Sequence, residues 1–185
     1  TFSRLDSGQT VFGKRFILRM YEENGQRPLW SPISILSLAD ALSGLAADGL
    51  NPEEYRFEEI RPYLDDPSYS PRSSADAAMV DILLTEAYLR AMYNLNHGKV
   101  DPELLDADHN YARERDNDKR SSLYLSWVAS GRIDEAFGWA RPKSDSYGLL
   151  KSALARYQAI QEAGGWPMIP GGKVLKPGTS DSRIP

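Results

Sequence analysis

Cysteine is absent from all 185 residues, and that absence closes several routes at once. These residues hold no disulfide framework, no thiolate metal site and no cysteine nucleophile. A cysteine-free chain suits the bacterial periplasm, where unwanted pairing is a hazard, and it suits the cytosol equally well. Histidine is nearly absent too. His97 and His109 are the only two, and neither belongs to an HxxxH, HExxH or Cys/His cluster, so no metal and no other cofactor is expected. Positive charge is also scarce, with 22 Lys and Arg against 26 Asp and Glu, a net charge of −4 and no cationic stripe. Nucleic acid and anionic membrane surfaces are therefore not expected partners. No apolar run reaches the roughly 18 residues that cross a bilayer, and no signal peptide stands at Thr1. The missing initiator Met and the abrupt TFSRLDSG start read as a processed or truncated chain.

What the chain does have is apolar residues at helical spacing. They make up 41% of the sequence, enough for one sizeable core or for a main domain with an appendage. Val11, Phe12, Phe16, Ile17, Met20 and Tyr21 predict a helix from Thr10 to Glu22 that Asn24-Gly25 closes. Ser31 as N-cap and Pro32 at the first helical position open a second helix with Ile35, Leu38, Leu42 and Leu45 as its stripe and Gly49 as its stop. Asn51 and Pro52 repeat that grammar, and residues 62–73, PYLDDPSYSPRS, read as a loop. The run from Ser74 to Gly98 is the longest helix. Ala78, Met79, Ile82, Leu83, Leu89, Met92 and Tyr93 cover so wide an arc that it must be central. Asp101 to Arg120 reads as a solvated loop with a short helical turn. Two short helices and a long one follow, their ends marked by Gly131, Pro142 and Gly164. The expected fold is all-α, a compact orthogonal array of about seven helices over residues 1–163, with an extended Gly/Pro-rich segment at 164–185.

Few residues carry chemistry. Glu86 in LLTEAY is a carboxylate on an apolar helix, the way a lysozyme-like fold positions its general acid. It also stands four residues before Arg90, where a helical ion pair explains it. His97 and His109 lie at helix ends or in loops, and a helix C-terminus favours a cationic His97. GGKV at 171–174 fails as a phosphate loop, because Pro167 stands where its first glycine is needed and Val174 where Ser or Thr is needed. Ser130 in VASGR is not in a nucleophile elbow and reads as a helix-end residue. Trp30, Trp127, Trp139 and Trp166 suit core and helix junctions or an aromatic groove. Trp166, between Gly165 and Pro167 on the exit segment, stands apart as a possible interdomain or glycan contact.

That exit segment, GGWPMIPGGKVLKPGTSDSRIP, is too rich in Gly and Pro for a helix and too apolar for a free linker. It reads as a docked strap toward a missing neighbour. Gly49-Leu50 with Pro52 and Tyr55, Leu84-Thr85 with Ala87-Tyr88, and Gly164-Gly165-Trp166-Pro167 with Leu175, Pro177-Gly178, Asp181 and Arg183 occur in one order. Together they resemble the N-terminal scaffold region of the long murein L,D-transpeptidases of Gram-negative bacteria, over nearly the whole chain from Phe16 to Ile184. The resemblance implies a periplasmic helical scaffold in cell wall biogenesis that positions a peptidoglycan-binding domain and a catalytic domain. Peptidoglycan would then be met through those neighbours. The family's catalytic domains resemble one another in using Cys and His within an S/T-H-G-C motif, which this chain lacks, so no catalytic residue carries over. The expectation is a non-catalytic scaffold of an L,D-transpeptidase-like parent. Two alternatives remain open: a helical protein-interaction domain unrelated to the cell wall, and a murein hydrolase working through Glu86.

Overall fold

A few capping residues set where helices start and stop. In the computed structural model, which describes residues 12–66, 71, 73–100, 120–166, 168, 171, 172, 174, 176–178, 180 and 181, the Ser31 hydroxyl accepts from the Ser34 amide at 3.2 Å. Ser34 Oγ accepts from the Ser31 amide at 2.8 Å, which closes a reciprocal capping box with Pro32 at the first helical position. The helix so opened, α2 (Pro32–Ser43), follows α1 (Lys14–Glu23) and leads into 3₁₀ turns at Gly44–Asp48 and Pro52–Glu54. Then come α3 (Phe57–Asp65), α4 (Ser74–His97), α5 (Ser121–Ser130), α6 (Ile133–Ala140) and α7 (Asp145–Glu162). The described residues therefore form seven α-helices and no strand, as an all-α fold requires. The chain divides into two compact units, Thr1–Ser144 and Asp145–Pro185.

In the first unit, α2 packs on α3 and α6, α4 on α3 and α6, and α1 on α5. Leu38, Leu42 and Leu45 are completely buried, as are Met20, Ile60, Tyr88 and Phe137. On α4 every residue from Leu83 to Leu89 is buried. A helix covered all round has to be central, which agrees with the sequence. The buried arc starts later than expected, however. Ala78 is exposed and Met79 and Ile82 are only partly covered, because the first turns of α4 extend past the core; Tyr93, near the other end of the helix, is partly covered as well. Between α5 and α6 the chain reverses at Gly131 (φ 67°), where a Cβ would stand 3.0 Å from Ile33 Cγ2. Glycine is needed there both for the left-handed backbone and for the close approach of α2.

Two sequence expectations need correction. The 62–73 loop begins late, because α3 runs through Pro62 to Asp65. Ile60 and Leu64, one turn apart and both buried, outweigh the single backbone hydrogen bond that proline removes. The helix expected at Asn51-Pro52 is only a 3₁₀ turn, since Arg56 adopts a left-handed backbone (φ 58°) that stops it before α3. The expected first-helix residues Thr10 and Val11, the polar run 101–119 and His109 lie outside the described residues.

One carboxylate fastens the α1–α2 connection to α4. Asp81 accepts hydrogen bonds from the Leu29 amide at 3.0 Å, the Trp30 amide at 3.1 Å and the Tyr21 hydroxyl at 2.5 Å. Next to it, Thr85 Oγ1 donates to the Asp81 carbonyl at 2.7 Å and accepts from the Trp30 indole at 2.9 Å. Burial raises the Asp81 carboxyl above its ordinary value, although the three donors pull it down. Burial and the neighbouring carboxylate likewise push the Tyr21 phenol far up, so at neutral pH it remains a donor.

A raised folded-state value means that, just above the unfolded value of about 3.9, the folded chain holds more protons than the unfolded one. Stability from this group therefore falls as pH rises through that window. Asp81→Asn should destabilise the fold, because its amide must meet donors. Its penalty in urea unfolding should shrink as pH is raised from about 3.9; a penalty that grows with pH would contradict this assignment.

Candidate functional site

The carboxylate singled out from the sequence, Glu86, lies at the centre of the first unit with no exposed side-chain surface. Arg56 Nε donates to its Oε2 at 2.8 Å. On the other oxygen, Oε1, Arg90 Nε donates at 3.1 Å and Arg90 Nη2 also bonds, with the Phe12 amide at 3.3 Å. The i,i+4 pair with Arg90 is present, and it is the half-exposed arm of a triad whose buried arm, Arg56, comes from 30 residues upstream. A general acid needs a proton and a face toward its substrate. Glu86 has both oxygens engaged, by two guanidinium groups and an amide, and no open face. Its chemistry is that of a clamp, holding the left-handed turn at Arg56 and the start of α1 against α4.

Arg56 gave no signal in the sequence, since nothing local marks a cation that will be buried. The same is true of Arg141, at the C-cap of α6, which grips Asp48 through Nε at 2.9 Å and Nη2 at 2.7 Å. Both pairs are long-range closures that only the folded topology creates. His97 ends α4, where a helix C-terminus is expected to hold it, with its ring 4.7 Å from that of Tyr93. Ser130 Oγ donates to the Ser126 carbonyl at 2.7 Å, as a helix-end serine does. Trp127 is buried in an aromatic cluster with Tyr124, and Trp30 is tied to Thr85. Trp139 is half-exposed, with the Arg120 guanidinium 5.3 Å over its ring.

Trp166 belongs to the second unit. There α7 ends in a Schellman turn: the Gly164 amide donates to the Gln161 carbonyl at 3.0 Å and the Gly165 amide to the Ile160 carbonyl at 2.9 Å. Both glycines have positive φ, 100° and 78°. The reversal lays the Trp166 indole 5.8 Å from the Tyr157 ring on α7, so the segment begins as a docked hook. Even so, Trp166 is 67% exposed. None of the residues of α7 is buried, and Leu149 and Leu150 are 71% and 68% exposed. Two adjacent leucines, a tyrosine and a tryptophan therefore lie open on one short unit. Trp166 stands out in the sequence, whereas α7 is marked there only as a long helix ending at Gly164.

Among the described residues no helix is long and apolar enough to cross a membrane, and no group of three acidic or histidine side chains could hold a metal ion. A family model described as Scaffold domain matches residues 15–154. Neither a curated protein nor a solved structure matches the chain.

If Glu86 is a clamp, Glu86→Ala leaves two guanidiniums without their anion and should cost about 3–5 kcal/mol in chemical denaturation, whereas a cost under about 1 kcal/mol would remove the clamp. Trp166→Ala touches only an exposed ring, and it should change the unfolding free energy by no more than about 0.5 kcal/mol. A larger loss would mean that Trp166 supports the fold.

Proposed function

The chain belongs to the Scaffold domain family, and from that premise we propose that it is the non-catalytic scaffold of a periplasmic, L,D-transpeptidase-like protein of peptidoglycan cross-linking. In this reading it holds a murein-binding domain and a catalytic domain in register, and peptidoglycan is met through those neighbours. The observation that carries the proposal is the pairing of a closed first unit with an open second one. Glu86, the most conspicuous carboxylate of the core, is enclosed by Arg56 and Arg90, while α7 and the Trp166 hook keep their apolar groups exposed. The ordered Gly164–Trp166 hook, GGW in sequence, is among the residues that resemble the transpeptidase family most specifically.

The work of such a scaffold is entropic. Two modules held at fixed separation act on one polymer at a high effective concentration, and a reacting group fixed in place avoids part of the ordering cost of its step. Without a cysteine, the chain supplies no thiolate for acyl transfer. Incubated with purified sacculi, it should form no 3-3 cross-links and release no soluble muropeptides by chromatographic analysis. New cross-links, or fragments whose release stops in Glu86→Gln, would overturn the reading in favour of an enzyme.

A further inference from the structure

Between α1, the α1–α2 turn and the start of α4 the first unit contains a groove of about 260 Å³, large enough for one bulky side chain. Its apolar lining comes from Ile17 and Leu18 of α1, Pro28 of the turn and Ile82 of α4. Leu18 is 46% exposed there. Two cations, Lys14 and Arg27, border it, and among the described residues neither has a carboxylate within salt-bridge distance. Asp81 lies at the base, but both of its oxygens are occupied by the Leu29, Trp30 and Tyr21 donors.

The groove wall is also built ahead of any ligand. Gly25 and Gln26 are successive left-handed residues, φ 66° and 59°, an arrangement that a non-glycine residue adopts only against steric resistance. It is held by the Gln26 amide on the Tyr21 carbonyl at 2.8 Å. Asn24 Nδ2 fixes the Arg27 and Pro28 carbonyls at 2.9 and 3.1 Å, and Arg27 Nε returns a bond to the Asn24 carbonyl at 3.1 Å. A preformed wall leaves little to be ordered on binding.

We propose that this groove is a peptide-docking site that takes an aliphatic side chain flanked by carboxylates, with the side chain against Leu18 and Ile82 and the carboxylates on Lys14 and Arg27. Charge complementarity selects the occupant: in a chain of net charge −4, this apolar groove is bordered by Lys14 and Arg27, neither of which has a carboxylate within salt-bridge distance among the described residues. The proposal does not depend on the murein reading and could fail or stand without it.

The test is a two-dimensional NMR titration of the whole chain with acetyl-Glu-Leu-Glu-amide, and with acetyl-Gln-Leu-Gln-amide as the neutral control. Amides of Leu18, Tyr21, Arg27 and Ile82 should shift together, and the neutral peptide should bind about twofold to tenfold more weakly, as two exposed ion pairs allow. Raising salt from about 0.05 M to about 1 M, where the screening length contracts to about 3 Å, should erase that difference. Lys14→Glu should reduce the preference for the acidic peptide while leaving thermal unfolding unchanged, and the salt series gives the same reading if that variant fails to fold. Equal affinities for the two peptides, no shift at these amides, or concentration-dependent self-association that broadens them would overturn the proposal, the last making a second copy of the chain the occupant.

Discussion

A buried charge must find partners, and the first unit is arranged around the charges that α4 carries into its core. Along this helix Asp81 lies one turn before the adjacent Thr85 and Glu86, within an otherwise apolar buried stretch. Leaving any of them unsatisfied would forfeit a large part of the stability of a domain this size. The two carboxylates are satisfied in different ways. Asp81 is met by neutral donors from the α1–α2 connection, Glu86 by two guanidiniums and the Phe12 amide. Each solution recruits a distant segment, so satisfying α4 also places α1, the turn after it and the entry to α3. The left-handed Arg56 belongs to the same constraint, since its ion pair with Glu86 offsets the strain of its backbone.

This economy bears directly on function. Charges that lock segments together are poor candidates for chemistry, because a reacting group needs a free proton or lone pair and room for a substrate. The first unit spends its most conspicuous acid on closure. The second unit does the opposite, with a helix that buries none of its residues and a Schellman turn that lays Trp166 beside Tyr157. A closed first unit and an open apolar second unit in one chain are the pairing on which the proposed scaffold role rests, and the chain belongs to the Scaffold domain family.

Local signals in the sequence were read well where local physics decides the outcome. Ser31-Pro32 opens α2, Gly131 closes α5, Gly164 ends α7, and the apolar breadth of α4 reveals a central helix. The pair Glu86–Arg90 was visible because four residues of helix bring it together. Arg56–Glu86 and Asp48–Arg141 were not, because nothing within a turn or two of either arginine records its distant partner. Pro62 misled for the same reason: its breaker signal is local, and the burial of Ile60 and Leu64 that overrides it is tertiary. Trp166 stands out in the sequence by its setting between glycine and proline, whereas the openness of α7 depends on what packs against it, which periodicity alone does not encode.

Native-state hydrogen exchange across a denaturant series reaches the central claim most directly, because it ranks each helix by the free energy of the opening that exposes it. The account predicts that α4 amides from Leu83 to Met92 exchange only through global unfolding, with the full denaturant dependence, and that α7 amides exchange through a separate and cheaper opening. Exchange of the Glu86 turn through a low-energy local opening would contradict it, because a segment that opens alone cannot be the clamp on which the body depends.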